Sequence, residues 1–141
     1  MSKPFILCFI DDDEIYQYTV TRSVNKHQLA KKILIFPDGE QAMWFLMDNI
    51  ADNDNLPDVI FLDINMPIMD GWQFIDEYVK LKPRINKQIT IYMITSSVDP
   101  VDYEHAKKIS EISDYLIKPI KPDMLKDIIE ALEKEGKLGA N

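Results

Sequence analysis

"DVIFLDINMPIMDGW", residues 58–72, opens with an apolar run, Val59 to Leu62, that does not alternate with polar residues and stops at Asp63. A strand with one wet face alternates; a run apolar at every position suits a strand covered on both faces. After Asp63 come Asn65, a Met66-Pro67 turn, and Asp70-Gly71 at the start of a helical stretch. A buried strand feeding a helix is the repeating unit to look for elsewhere in the chain.

It recurs. "PFILCFI" (4–10), "ILIF" (33–36), "ITIYMIT" (89–95) and "DYLIKP" (114–119) have the same strand length and the same apolar character. Between the runs the spacing turns helical. Tyr16, Val20, Val24 and His27 make one stripe, Ala42, Phe45, Leu46, Asn49 and Ile50 a second, and Leu125, Ile128, Ile129 and Leu132 a third. Asp38 precedes Gln41 by three residues as in a capping box, and Asp99 precedes a proline at a first helical position. Five strands alternating with five helices predict right-handed crossovers and a doubly wound parallel sheet between helical layers, an α/β fold. Such sheets bind ligands at the carboxyl ends of their strands.

Composition narrows the function. The chain has 141 residues, 46% of them hydrophobic, which suits one domain over 1–141 with its core over about 4–132 and a frayed end over 133–141. A net charge of -8 opposes phosphate backbones, so direct nucleic-acid binding is not expected. The single Cys8 lies in an apolar run and reads as a reduced, buried side chain of a cytoplasmic protein. The opening "MSKPFILCFIDDDE" is neither a signal peptide nor a membrane span.

The acids then need a reason. Asp11 and Asp12 fall at the carboxyl end of the first strand and Asp63 at that of the third, so three carboxylates share one rim. Two unit charges about 4 Å apart repel by roughly 4 kcal/mol at an effective dielectric near 20, which calls for a cation among them or for partial protonation. Oxygen ligands suit Mg²⁺, and His27 and His105 stand apart on helices, away from any zinc set. Asp13 and Glu14 read as ordinary helix-start acids. Thr95 ends the fourth strand, and Lys118 leaves the fifth, where an ammonium needs an anion beside it. Such a set supports phosphoryl transfer onto a carboxylate: Asp63 as nucleophile, Mg²⁺ offsetting charge, Lys118 and Thr95 contacting the transferred oxygens.

"IDDDE", "DINMPIMDG", the Thr of "ITSS" and "YLIKP", in this order, resemble the receiver domain of two-component response regulators, in particular the chemotaxis-type single-domain regulators, from about Pro4 to Leu132. The resemblance implies a flavodoxin-like three-layer sandwich with strand order 2-1-3-4-5. It implies Asp63 as phospho-acceptor, Asp12 as direct Mg²⁺ ligand, Asp11 holding a metal-bound water, and Asn65 lending its backbone carbonyl. Lys118 resembles the lysine that pairs with the acceptor and then with the phosphoryl group, before a proline, Pro119, that is often cis in the family. Thr95 resembles the switch hydroxyl and Tyr115 the switch aromatic. The implied partners are a sensor histidine kinase or histidine phosphotransfer protein, and a downstream protein target reading the face made by the fourth helix, fifth strand and fifth helix, with Tyr103 and Ala106. No membrane partner is implied.

Ser96 follows Thr95 where the family often has Ala or Gly, and Ser97 lies where side chains tune loss of the phosphoryl group. Three other readings compete. A phosphorylation-independent, receiver-shaped adaptor would be expected to lack one of the acidic pair, acceptor, hydroxyl or lysine. A Mg²⁺-dependent aspartyl phosphohydrolase of the haloacid-dehalogenase type would want a second acid where Asn65 stands, and its nucleophile on the first strand. A flavodoxin-like electron carrier would set a flavin phosphate against "DDDE", which repels it.

Overall fold

The computed structural model describes residues 3–96 and 99–136; Ser97 lies outside them. Its elements alternate as expected: β1 (Ile6–Ile10), α1 (Glu14–Lys26), β2 (Lys32–Phe36), α2 (Gly39–Asp48), β3 (Val59–Asp63), α3 (Gly71–Leu81), a short 3₁₀ turn (Lys82–Arg84), β4 (Thr90–Thr95), α4 (Pro100–Lys107), β5 (Ile112–Ile117) and α5 (Pro122–Lys134). The strands form one parallel sheet in the order β2-β1-β3-β4-β5. α5 runs to Lys134, two residues beyond the expected end of the core, and Gly136 follows at φ +74°, a conformation glycine adopts at little cost.

Burial separates the central strands from the edges. β1, β3 and β4 are buried at every residue, whereas β2 and β5 are partly exposed. Full two-sided cover therefore holds for the three inner strands; at the sheet edges a neighbour is missing and helices reach over only part of the surface. The period of two assigns the inner side chains to two cores. Ile6, Cys8, Ile10, Ile60 and Leu62 pack with Ala42, Leu46, Phe74 and Ile75 of α2 and α3. Leu7, Phe9, Val59 and Phe61 pack with Val20, Val24, Leu125 and Ile129 of α1 and α5. Cys8 has no partner, and burial pushes its thiol well above the usual range, which keeps it unreactive.

On the α1/α5 side, Phe9, Phe61 and Tyr92 are register partners on three adjacent strands. Their rings stack in series at 5.0 and 5.5 Å. Each such pair contributes about 0.5–1.5 kcal/mol beyond its buried area. The ladder ends two residues short of Asp11 and of Asp63, so the strand ends that carry the acids rise directly from this stacked core.

Caps set the helix entries. Asp13 accepts from the N–H groups of Ile15 and Tyr16, and Asp38 accepts from Gln41. Asp99 accepts from Val101 ahead of Pro100. Asp70 and Gln73 form a full reciprocal capping box at α3. No helix among the described residues is long and apolar enough to cross a membrane.

Candidate functional site

The parallel register builds the site. Ile10 is paired with Leu62, so the next residues, Asp11 and Asp63, emerge side by side at the carboxyl edge. One carboxylate oxygen each from Asp11, Asp12 and Asp63 lies within 4.8 Å of the others. Asp11 and Asp63 are buried and Asp12 is exposed. From the far side Thr95 pairs with Ile117 in register, and the Lys118 N–H donates to the Thr95 carbonyl at 2.7 Å, which brings the lysine to the same rim. The Lys118–Pro119 peptide is cis.

Lys118 Nζ is 2.6 Å from Asp11 Oδ2 and 3.9 Å from Asp63 Oδ2. The ammonium thus stands among the acids, as a cation leaving a buried strand must, but its tight partner is Asp11. Both ion pairs are formed, the one with Asp63 being the longer.

Burial dominates the proton affinity of both inner acids. The Asp63 carboxyl is pushed up to about 6, first by desolvation, then by the Asp11 charge, against Lys118; Asp12 raises it further and the Asn65 N–H lowers it. Asp11 is also held above the usual range by burial, partly offset by its bonds from Lys118 and from the Asp13 N–H. Two acids kept from easy ionisation beside a third, with oxygen donors only, form a set that a hard divalent ion would complete; among the described residues no Cys or His joins it. The residues therefore fit Mg²⁺.

Asn65 is exposed, and its backbone N–H reaches the Asp63 carboxylate. Gly71 lets α3 start against this loop: a Cβ there would meet the Asp63 carbonyl oxygen at 2.6 Å and Ile64 Cα at 2.9 Å. Thr95 is buried and Ser96 exposed. Tyr115 meets Tyr103 edge-on, with ring centroids 5.6 Å apart. Its hydroxyl is shielded from solvent, and among the described residues no partner meets it at full hydrogen-bond geometry, although Thr95 lies near enough to work against the rise in proton affinity that burial imposes.

Two residues of α1 belong to the site although the sequence showed them only as helix positions. Gln17, buried, donates from Nε2 to the carbonyls of Phe9 and Asp11 at 3.1 Å each, fixing the backbone under the acidic pair. Tyr16 lies with its ring 4.6 Å from Lys118 Nζ. The available signal for Gln17 was a polar side chain on the inward side of the helix. Tyr16 fitted the apolar stripe, which concealed its second contact.

Comparison with known proteins follows the same lines. The 27%-identical "Probable methanogenesis regulatory protein FilR2" of Methanothrix harundinacea aligns over 99% of this chain and 88% of its own length. A protein-glutamate methylesterase/protein-glutamine glutaminase of Bordetella pertussis is 30% identical over 83 residues, 59% of this chain, which spans only 22% of that protein's length. A two component response regulator from Cytophaga hutchinsonii, 25% identical, superposes with a TM-score of 0.81 over 94% of this chain and 99% of that one. The family described as the response regulator receiver domain matches residues 7–130, which takes in the strand ends, the three acids and the lysine, and the chain belongs to that family.

Proposed function

We propose that this chain is a single receiver domain, a phosphorylation-dependent switch that accepts a phosphoryl group on Asp63 and passes the signal to a protein partner. Receiver domains are signalling switches and not conventional enzymes, bind Mg²⁺ in an acidic pocket, and work with histidine kinases and phosphotransfer proteins. The observation that carries the finer reading is the convergence of Asp11, Asp12, Asp63 and Lys118 at one strand edge.

In the transfer, an Asp63 carboxylate oxygen attacks the phosphorus of a phosphohistidine on a sensor kinase or phosphotransfer protein. The P–N bond breaks, the imidazole leaves with its electron pair, and an acyl phosphate forms on Asp63. Near neutral pH most Asp63 is ionised even with its raised proton affinity, so the nucleophile is ready. Asp12 and Asp63 would hold Mg²⁺ directly, with the Asn65 carbonyl and, through a water, Asp11. When bound there, such an ion would offset the negative charge on the transferring group. Lys118 turns from Asp11 toward the phosphoryl oxygens, and the Thr95 hydroxyl meets them from the β4 side.

Thr95 and Tyr115 couple this event to the surface. Closing Thr95 on the phosphoryl group favours one position of Tyr115, and with it one arrangement of the α4, β5 and α5 face carrying Tyr103 and Ala106; a protein target that prefers that arrangement reads the state. The place of action is the cytoplasm, with neither nucleic acid nor membrane as direct partner.

Intact-mass measurement after acetyl phosphate and Mg²⁺ tests the reading. A labile phosphoryl adduct is expected on the wild type and absent from Asp63→Asn and from samples with EDTA. An adduct surviving in the variant moves the acceptor elsewhere, and no adduct in any sample favours a phosphorylation-independent adaptor. Turnover of small phosphate esters would instead indicate a phosphohydrolase.

A further inference from the structure

Tyr16 stands in the first turn of α1, and its ring packs with the α1/α5 core. Its outer face looks at the Lys118 ammonium, 4.6 Å from the ring centroid. The ammonium therefore has Asp11 at 2.6 Å, Asp63 at 3.9 Å and an aromatic face as its third wall. The Tyr16 hydroxyl is buried and has no hydrogen-bond partner among the described residues, and burial, then the charges of Asp11 and Asp63, hold the phenol well above its usual range, so it stays neutral. The face of the ring is negative, so carboxylates are not what it attracts. It gains from the cation, through the negative face of its π-system. An apolar stripe alone would be served as well by leucine, which leaves the aromatic character to be explained by Lys118.

We propose that Tyr16 is a positioning residue for Lys118, its ring holding the ammonium at the rim while that ammonium exchanges Asp11 for the phosphoryl group on Asp63. The inference rests on Asp63 being the acceptor. The ring suits the task because its attraction is spread over a face and is weaker than a charge pair. A third carboxylate would trap the lysine, and an aliphatic side chain would leave it held by Asp11 and Asp63 only.

Two measurements on the full chain test this. In the metal-free, unphosphorylated protein with ¹³C-labelled lysine, the ring current should move the Lys118 ε-CH₂ proton signals upfield in the wild type and in Tyr16→Phe, but not in Tyr16→Leu. With acetyl phosphate and saturating Mg²⁺, Tyr16→Leu should slow adduct formation roughly three- to tenfold, the scale of a partly desolvated cation–π contact, with Mg²⁺ affinity unchanged. Tyr16→Phe, which keeps the ring, should restore the rate to within about twofold. Absence of the upfield shift in the wild type overturns the inference, and so does a Tyr16→Leu rate equal to wild type, or a Tyr16→Phe rate as low as that of Tyr16→Leu. If Tyr16→Leu does not fold, the Lys118 signals of the wild type and Tyr16→Phe decide. A wild type that forms no adduct refutes the acceptor reading instead, whatever the Lys118 signals show.

Discussion

Lys118 Nζ lies 2.6 Å from Asp11 Oδ2, nearer by more than an ångström than to Asp63 Oδ2 at 3.9 Å. The lysine thus occupies charge that a divalent ion would also use. A like charge a few ångströms from the metal position lowers the ion's affinity, because the two cations compete for the same carboxylates.

Lys118→Met should therefore bind Mg²⁺ more tightly, by on the order of tenfold after solvent screening, when measured by titration calorimetry near pH 7. The same variant should take phosphate from acetyl phosphate roughly a hundredfold more slowly, as expected when one charged contact to the transferring group is lost. Weaker or unaltered Mg²⁺ binding would show that the pair with Asp11 does not oppose the metal.

Gly71 is where α3 touches the loop after the acceptor. Its N–H donates to the Ile64 carbonyl at 2.8 Å, and an added Cβ would collide with backbone atoms of Asp63 and Ile64 that have no rotamer to escape into. Gly71→Ala should cost about 1–3 kcal/mol in denaturant unfolding. It should also slow adduct formation, since relief of the clash moves the acceptor's own peptide. A variant of wild-type stability would mean that α3 can slide away without loss.

The fold was legible because its signals are local. Non-alternating strands, Asp38 and Asp99 as caps, and the stripes of α1 and α5 each follow from a few neighbouring residues. The rim of acids was legible because a parallel sheet sends every strand end to one edge, whatever the lateral order. Less was visible where a side chain satisfies two demands. Tyr16 obeys the helix period and also faces Lys118, 102 positions away in the chain, and only the second contact reveals its role. That Lys118 lies closer to Asp11 than to Asp63 is a property of the whole packed edge, which no short stretch of sequence contains. The partial exposure of β2 and β5 likewise depended on strand order.

Ile68 carries a conformation its side chain disfavours. Its φ is +68°, and the Met69 N–H closes a tight turn onto the Pro67 carbonyl at 2.7 Å. A β-branched residue in such a turn is strained, and at 70% exposure it recovers little by packing. Ile68→Gly should remove a cost of about 1–2 kcal/mol and lose part of the gain to the freer unfolded chain. The expected net stabilisation is on the order of 0.5–1 kcal/mol, seen as a higher denaturant midpoint with an unchanged slope. A lower midpoint would show that the isoleucine side chain contributes more than the turn costs.

The raised Asp63 carboxyl makes a prediction about pH in the absence of metal. Its value of about 6 in the folded chain lies above the roughly 3.9 of an unfolded aspartate. Between those two values the folded state holds more protons than the unfolded one, so stability falls as pH rises through the window and stays lower above it. Asp11, raised for the same reason, acts in the same direction. Asp63→Asn removes the ionisation, and its melting temperature should exceed that of the metal-free wild type at pH 7 while converging with it near pH 4. Mg²⁺ favours the ionised carboxylates, so adding it at pH 7 should raise the wild-type melting temperature and narrow the gap to Asp63→Asn. Thermal melts followed by circular dichroism from pH 4 to 7, with and without Mg²⁺, distinguish the outcomes. If Asp63→Asn melts lower than the metal-free wild type at pH 7, the burial of the acceptor carboxylate is not a cost to the fold, and the electrostatic basis given for the metal site fails with it.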